Sequence, residues 1–238
     1  MNIISGVYWD KGKRSVNQDS LLLEQVLTRR GRVLIAAVSD GIGGLAEGET
    51  ASGSILEKVL QNFYHRMLLT IVKGRGRHRM KRNFLRCFFE TNRILNMYAK
   101  SKDISLGATV SVLIIFKNRY TVAHLGDSRI YRIRENGKAQ KITEDHTLWK
   151  NVQSKCMGSF PYQSPDICEG VVRGRTGFLL CSDGFYHFLT EDMLAELLDP
   201  SEIKEEEQLE RRLKELAGYG LRQGEQDNIS ALYVLCDH

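Results

Sequence analysis

Apolar residues recur along the chain in two rhythms, and these rhythms predict the secondary structure. Runs in which most residues are apolar, or alternate with polar ones, predict strands at 3–10, 21–26, 33–38, 110–116, 120–125, 129–133, 178–182 and 229–235. Apolar residues at spacings of three and four predict helices at about 50–70, 82–100, 191–198 and 203–221. Residues 141–175 show little periodicity and are expected to be irregular.

The order of these elements predicts an α+β fold. The strands 110–116, 120–125 and 129–133 follow one another through two short connections, as in an antiparallel meander. A doubly wound parallel sheet would instead alternate strands with helices.

Composition narrows the class of protein. At 238 residues, with 42% hydrophobic and 26% charged positions, the chain has the makeup of an ordinary soluble protein and can bury a sizeable core. Five cysteines without a Cys-x-x-Cys pair argue against a zinc site and a disulfide framework. The start of the sequence does not resemble a signal peptide, and no apolar run approaches the ~20 residues of a membrane span. We therefore expect a soluble, cytoplasmic protein.

The net charge of +5 suggests no nucleic-acid partner, because basic residues form a run only at 73–82. No aromatic residue that could stack on a base lies within this run. A solvated loop leading into a helix explains it, and a docking patch for an acidic partner is the alternative.

Four acidic positions lie where predicted strands begin, end or turn. They are Asp40-Gly41, Asp183-Gly184, Asp227-Asn228 and, between two strands, Asp127 in Gly126-Asp127-Ser128. Each could be a turn, because Asp, Asn and Gly are typical turn residues. If these strand ends meet at one edge of the sheets, however, the carboxylates lie close together and need cations to offset their repulsion. Oxygen ligands favour Mg²⁺ or Mn²⁺, and two such ions can activate water and polarise a phosphoryl group.

Seven sequence blocks carry a family resemblance and span nearly the whole chain. They are RSVNQDS (14–20), VSDGIGGLAEGETAS (38–52), LGATVSVLI (106–114), VAHLGDSRIYRI (122–133), KITEDHT (141–147), LLCSDGF (179–185) and QDNISALYV (226–234). In kind and order they resemble the metal-dependent protein Ser/Thr phosphatases of the PPM (type 2C) family in their compact bacterial form.

The resemblance implies a four-layer α-β-β-α sandwich, in which helix pairs flank two antiparallel sheets and a metal site lies at one sheet edge. It also implies roles for particular residues. Asp40 bridges two Mn²⁺ or Mg²⁺ ions, the Gly41 carbonyl is a ligand, Asp183 and Asp227 complete the pair, Asn228 orients Asp227, Arg14 binds the substrate phosphate, and Asp19 orders water or holds Arg14.

The sequence departs from the family pattern at three positions. Gln18 replaces a common Glu, and Ile42 replaces a histidine that is thought to protonate the leaving group in eukaryotic relatives. His187 replaces an Asp that helps to hold a third ion, so a third ion at Asp127 stays open. We expect residues 1–238 to be a single phosphatase domain whose flap segment, at about 147–175, is shortened.

The implied activity is metal-dependent hydrolysis of phosphoserine and phosphothreonine in proteins by a metal-bridging water. The substrates would be products of a bacterial Ser/Thr kinase, and a monomer without nucleic-acid or membrane partners is the default. Two alternatives remain: a pseudophosphatase that only binds phosphoproteins, and a phosphohydrolase of small molecules that uses the same two-metal site.

Overall fold

The computed structural model describes residues 2–42, 45, 47–74, 76–135, 137–149, 152–153 and 155–237, with backbone alone at 77, 147–149, 152 and 153. The strands are β1 (Asn2–Asp10), β2 (Asp19–Thr28), β3 (Gly31–Asp40), β4 (Val110–Phe116), β5 (Arg119–Leu125), β6 (Arg129–Arg134), β7 (Lys138–Lys141), β8 (Thr147–Trp149), β9 (Val152–Gln153), β10 (Asp166–Val171), β11 (Thr176–Cys181) and β12 (Ile229–Asp237). The helices are α1 (Gly48–Asn62), α2 (Leu68–Val72), α3 (Arg77–Lys102), α4 (Asp183–Tyr186), α5 (Glu191–Leu197) and α6 (Glu206–Gln223), and a π-helical turn (Phe63–Met67) joins α1 to α2.

Ten of these strands form two antiparallel sheets. Sheet A has the order β1-β12-β11-β6-β7, sheet B has the order β10-β5-β4-β3-β2, and β8 and β9 form a separate hairpin. Strands β11 and β12 of sheet A lie against β3 of sheet B. The two sheets therefore stack face to face.

Alternation along the strands divides the core into three layers. Leu34 and Leu113 of sheet B meet Phe178 and Leu232 of sheet A between the sheets. The neighbours of these residues point to the opposite faces, because successive side chains of a strand alternate. On those outer faces sheet B packs against α1, α2 and α3, and sheet A packs against α4, α5 and α6. The predicted α+β, four-layer α-β-β-α sandwich is confirmed.

Several predicted elements are longer or differently divided in the structure. The first helix runs from 48 to 72, with the π-helical turn in its middle, and the second begins at 77 rather than 82. The expectation that 141–175 is irregular is wrong for β10, which pairs with β5 from Asp166↔His124 to Val171↔Arg119. The sequence does not predict this strand, because it is an edge strand without a continuous apolar run. It also contains Gly170, a residue type that is unfavourable inside strands. Within the described residues, no helix is both long and apolar enough to span a bilayer.

The strand register brings one end of each sheet to a common edge. Asp19 at the start of β2 lies opposite Asp40 at the end of β3. In sheet A, Cys181 at the end of β11 lies opposite Arg129 at the start of β6 and opposite Ala231 near the start of β12. The acidic positions that follow or precede these strands therefore meet at that edge.

Candidate active site

Asp40 is held through its main chain by the residue that precedes β4. The Asp40 amide donates to Thr109 Oγ1 over 3.0 Å, and the Thr109 amide donates to the Asp40 carbonyl over 2.8 Å. Ser39 Oγ donates to the Thr109 carbonyl over 2.6 Å. These bonds fix the direction in which the chain leaves β3, and with it the position of the carboxylate.

The four acidic positions predicted from sequence do converge, and Asp19 joins them. The pKa of Asp40 is raised well above its usual range, first by loss of solvation and then by the charges of Asp19, Asp183, Asp127 and Asp227. Coulombic repulsion of this kind requires the carboxylates to be close neighbours in a poorly solvated place.

Asp19 lies buried beneath the site, with 3% of its surface exposed. Its Oδ2 accepts a hydrogen bond from Ser182 Oγ at 2.8 Å, whereas its buried Oδ1 has no hydrogen-bond partner among the described residues. Burial raises the pKa of Asp19 to about 6, the nearby hydroxyls of Ser230 and Ser182 oppose that rise, and the charge of Asp183 adds to it. Asp19 makes no hydrogen bond with Arg14 within the described residues, so the suggested role of holding that side chain is not what the structure shows.

Asp183 begins the short helix α4 immediately after β11. Burial raises its pKa, and the charge of Asp227 raises it further, while His187 opposes the rise. Gly184 is needed beside it, because a Cβ there would lie 2.2 Å from the carbonyl oxygen of Asn228. Asp183 can thus approach the Asp227–Asn228 turn only when a glycine follows it.

Arg14 reaches this cluster from the loop between β1 and β2. Its Nε donates to Asp227 Oδ1 at 3.0 Å and its Nη2 to Asp227 Oδ2 at 2.8 Å, a two-point ion pair in which 52% of the Arg14 side chain is exposed. Asp183 and Asp40 add weaker attractions, and together these contacts raise the pKa of Arg14. A guanidinium that can bind two oxygens at once therefore lies beside the carboxylates.

Asn228 acts mainly on the 11–18 loop rather than on the Asp227 side chain. Its Nδ2 donates to the carbonyls of Lys11 and Val16, and its Oδ1 accepts from the Gln18 amide at 2.8 Å. Only its backbone amide donates to Asp227 Oδ1, at 2.8 Å. Asn228 thereby fixes the loop that carries Arg14.

Gly41 and Gln18 lie against the beginning of α1. A Cβ at Gly41 would lie 2.6 Å from the backbone of Gly48, so only glycine allows this approach. The Gly41 amide donates to the Gln18 carbonyl at 3.1 Å, and Gln18 Nε2 donates to Glu49 Oε2 at 3.4 Å. Gly43 and Gly44, which were expected to lead into the helix, lie outside the described residues.

Asp127 lies in the turn between β5 and β6. One aromatic side chain, Tyr186, and one cationic side chain, Arg129, stabilise that turn. Tyr186 Oη donates to the Asp127 carbonyl at 3.0 Å, and the Arg129 guanidinium lies 3.6 Å from the centre of the Tyr186 ring. Arg129 also binds both carboxylate oxygens of Asp145. Sequence reasoning missed Tyr186, Arg129 and Asp145 as supports of the site, since 16 to 59 positions separate the partners.

Glu225 is a second support that sequence reasoning missed. This buried carboxylate accepts from the amides of Gln226 and Asp227 through Oε1, at 2.8 and 2.9 Å, which fixes the backbone at Asp227. Its Oε2 lies 3.2 Å from Nδ1 of His187. His187 is half-exposed and engaged with Glu225. The position of His187, four residues after Asp183, marked it in the sequence as a residue near the site. Nothing in the sequence indicates that Glu225 is its partner.

The donor set fits hard divalent cations. Five carboxylates lie near one another, burial and mutual repulsion raise the pKa values of Asp40 and Asp183, and one buried oxygen of Asp19 lacks a partner among the described residues. The donors are oxygens rather than thiolates or imidazoles. Within the described residues, no three Asp, Glu, His or Cys side chains converge on one point closely enough to coordinate an ion. Both oxygens of Asp227 bind Arg14, so this carboxylate would have to leave Arg14 to become a ligand.

Comparison with known proteins gives a consistent result. Residues 11–217 match the family model described as protein phosphatase 2C. The chain is 24% identical over 247 residues to the serine/threonine phosphatase stp of Listeria welshimeri, covering 94% of this chain and 92% of the relative.

Solved structures share the fold. The serine/threonine phosphatase of S. agalactiae superposes with a TM-score of 0.82 at 22% identity, covering 98% of this chain and 99% of that one. The catalytic domain of the phosphatase PstP, solved in complex with two manganese ions, superposes with a TM-score of 0.77 at 22% identity, covering 99% of both chains.

Proposed function

This chain belongs to the protein phosphatase 2C family, and from that premise we propose that it is a metal-dependent phosphatase of phosphoserine and phosphothreonine in proteins. The observation that carries the proposal is the cluster of five carboxylates at one sheet edge, with the guanidinium of Arg14 beside it. Such a cluster is costly without cations, and the donors are those that Mn²⁺ and Mg²⁺ prefer.

We assign two Mn²⁺ or Mg²⁺ ions to Asp40, Asp183, Asp227 and the carbonyl of Gly41. When bound, such ions neutralise the carboxylates, polarise the phosphoryl group and lower the pKa of the attacking water. The presence of two manganese ions in PstP supports this assignment. Asp19 and Gln18 lie behind these ligands, where we propose that they order water.

Arg14 is proposed to bind the substrate phosphate. A guanidinium can donate two parallel hydrogen bonds to two oxygens of the same carboxylate or phosphate group. In the structure the Asp227 carboxylate accepts two such bonds from Arg14, at 3.0 and 2.8 Å. Arg14 then exchanges the oxygens of Asp227 for those of the phosphoryl group, which leaves the Asp227 carboxylate available as an ion ligand.

Two further features of the site are proposals about the reaction. The apolar side chain of Ile42 cannot donate a proton, so the leaving alkoxide takes one from another acid or from water. The proposal rests on two ions. A third ion at Asp127 stays an open question, because His187 replaces the second carboxylate of that site and lies against Glu225.

Our proposal also covers the substrates, oligomeric state and location of the protein. Relatives named serine/threonine phosphatases support phosphoproteins as substrates, and we expect these to be products of a bacterial Ser/Thr kinase. We propose a cytoplasmic monomer whose flap segment, at about 147–175, is shortened within a single domain.

Assays with two substrates test the proposed function. Purified protein should hydrolyse p-nitrophenyl phosphate and phosphothreonine peptides with Mn²⁺ or Mg²⁺, and should lose both activities in excess EDTA. No turnover with any divalent ion, together with retained phosphopeptide binding, would establish a phosphoprotein-binding module instead. Phosphorylated metabolites that outcompete phosphopeptides would establish a small-molecule phosphohydrolase.

A further inference from the structure

A cationic cleft lies on the β6–β7 hairpin, away from the carboxylates. It has a volume of about 460 Å³, and Arg132, Arg134, Lys138, Lys141 and a single acidic residue, Glu191, line it. Lys141 is already paired with Asp145 at 3.3 Å. The remaining three cations face one carboxylate, so the cleft keeps an excess of positive charge.

The register of the hairpin places like charges directly opposite each other. Arg134 pairs with Lys138 across the strands, and Arg132 pairs with Gln140, so all four side chains project from the same face. Neither the Arg134 side chain nor the Lys138 side chain forms a hydrogen bond or ion pair with any residue that the structure describes. A cross-strand pair of like charges destabilises a hairpin, and folding alone therefore does not explain it.

Arg132 is held in place but not fully satisfied. Its guanidinium donates to the Tyr120 hydroxyl at 3.4 Å and to Gln140 Oε1, while its buried Nε has no hydrogen-bond partner among the described residues. The two bonds hold the charged guanidinium of Arg132 in a fixed position in the lining of the cleft, where its charge attracts an anion.

Strand β6 connects this cleft to the proposed active site. Arg129 at its beginning stacks on Tyr186, which donates to the Asp127 carbonyl. Arg134 lies at the other end of the strand, roughly 17 Å away at about 3.3 Å per residue. An extended peptide whose phosphorylated residue lies at the carboxylates would therefore reach the cleft with residues about five positions along its chain.

The geometry points to a docking site for an acidic segment of the phosphoprotein substrate, held by Arg132, Arg134 and Lys138 at the β6–β7 hairpin. Charge complementarity selects aspartate and glutamate side chains as the occupants. Strand β7 is the last strand of its sheet, so an extended segment can lie along its outer edge. This inference rests on the proposed phosphatase activity for its account of substrate choice.

Matched phosphopeptides test the docking site. Two phosphothreonine peptides would carry three glutamates about five residues to the N-terminal or C-terminal side, and a third would carry glutamines at those positions. We expect kcat/KM to be about fivefold higher for one acidic peptide, as one or two exposed ion pairs would give. Rising salt should remove that advantage.

Charge-reversed variants assign the effect to the cleft. The double variant Arg134→Glu/Lys138→Glu should lose the acidic preference and keep its rate on p-nitrophenyl phosphate. Lys81→Glu/Arg82→Glu changes the charge equally on exposed residues of α3 and should keep the preference. Arg134→Glu alone creates an opposite-charge pair with Lys138, and should raise the midpoint of thermal unfolding while reducing the preference.

The outcomes separate this inference from the proposed function. Equal kcat/KM for all three peptides, or an acidic preference that survives Arg134→Glu/Lys138→Glu, would overturn the docking site while leaving the phosphatase intact. Loss of the preference in the α3 control variant would overturn it in favour of the 73–82 patch. If the protein hydrolyses nothing, fluorescence anisotropy with the unphosphorylated acidic peptides still tests the cleft, and binding unaffected by the double variant would refute it.

Discussion

Asp40 has a carboxylate whose charge is opposed by four neighbouring carboxylates. Replacing it with asparagine removes one charge from the crowded cluster while keeping the size of the side chain. We expect Asp40→Asn to lower turnover of p-nitrophenyl phosphate at least about 100-fold, because even residues that only orient metal ligands contribute 10–100-fold. The same variant should unfold at a higher temperature than wild type in EDTA, since repulsion is relieved.

Turnover at several Mn²⁺ concentrations and thermal unfolding in EDTA measure both effects. Asp192→Asn, at an exposed position on α5, is the control and should change neither. A variant of Asp40 that kept most of its rate would show that the two-ion assignment is wrong.

Arg14 differs from the acidic residues because its predicted effect is on substrate affinity. Arg14→Ala should raise KM for a phosphopeptide roughly tenfold, the equivalent of one lost charge-assisted hydrogen bond. At saturating phosphopeptide Arg14 binds the phosphate rather than Asp227, so the Mn²⁺ concentration that gives half-maximal activity should stay nearly constant. Lys13→Ala on the same loop should behave as wild type. A change in that Mn²⁺ concentration with unchanged KM would instead show that Arg14 acts through its ion pair with Asp227 and not on the substrate.

At the scale of elements, the hydrogen bonds between Asp40 at the end of β3 and Thr109 just before β4 determine where the Asp40 carboxylate lies. Thr109→Val keeps the shape of the side chain but removes the hydroxyl that accepts from the Asp40 amide and bonds to Ser128. The buried amide loses its partner, so we expect a loss of roughly 1–3 kcal/mol in the free energy of unfolding. Activity should also fall.

Urea denaturation and p-nitrophenyl phosphate assays measure these two changes. Thr109→Ser keeps the hydroxyl and should retain most of the activity. If Thr109→Val were as active and stable as the wild type, the hydrogen bonds of Thr109 would not determine the position of the Asp40 carboxylate.

The elements that sequence predicts well are those whose identity is set locally. Strands β3, β11 and β12 have apolar runs because both of their faces are covered, and their bounds differ from prediction by about two residues at most ends. Strand β7 shows no such run, because the hairpin pairs it with β6 at the sheet edge and most of its residues are exposed or partly exposed. Its strand character comes from a tertiary partner, which the local pattern does not contain.

The candidate site divides in the same way. Asp40, Asp183 and Asp227 could be found because each adjoins a strand and a turn residue. Glu225 and Tyr186 could not, since their roles arise from contacts that exist only after folding. The cationic cleft escaped for a related reason: a turn separates Arg134 from Lys138, and only strand pairing places them opposite each other.

For the whole molecule, the buried histidine His124 links stability to pH. Its ring is 1% exposed, bonds to Ser111 Oγ and the Glu144 carbonyl, and stacks on the ring of His146. Burial, reinforced by the charge of His146, lowers the pKa of His124 to about 4. In the unfolded chain the pKa is about 6.5, so there the residue takes up a proton at pH 5. The contribution of His124 is therefore complete above about pH 6.5 and is lost as the pH falls towards 4.

A variant comparison isolates this effect from the carboxylates, whose raised pKa values act in the opposite direction. Between pH 7 and pH 5, wild type should lose about 2 kcal/mol more unfolding free energy than His124→Gln, as the linkage between protonation and folding requires. Urea denaturation in EDTA at the two pH values measures the difference. Parallel losses in the two proteins would mean that His124 is protonated in the folded state at pH 5.

The position of β12 has a consequence for when the protein becomes active during its synthesis. This strand is the last one in the described chain, yet it lies between β1 and β11 inside sheet A. The turn that leads into it supplies Asp227, against whose carbonyl Gly12 packs so closely that a Cβ there would lie 2.0 Å away. A ribosome-bound chain that ends before residue 227 thus has neither the strand that joins its two ends nor a complete set of carboxylates. We therefore expect nascent chains to be inactive on phosphoproteins until β12 has been synthesised.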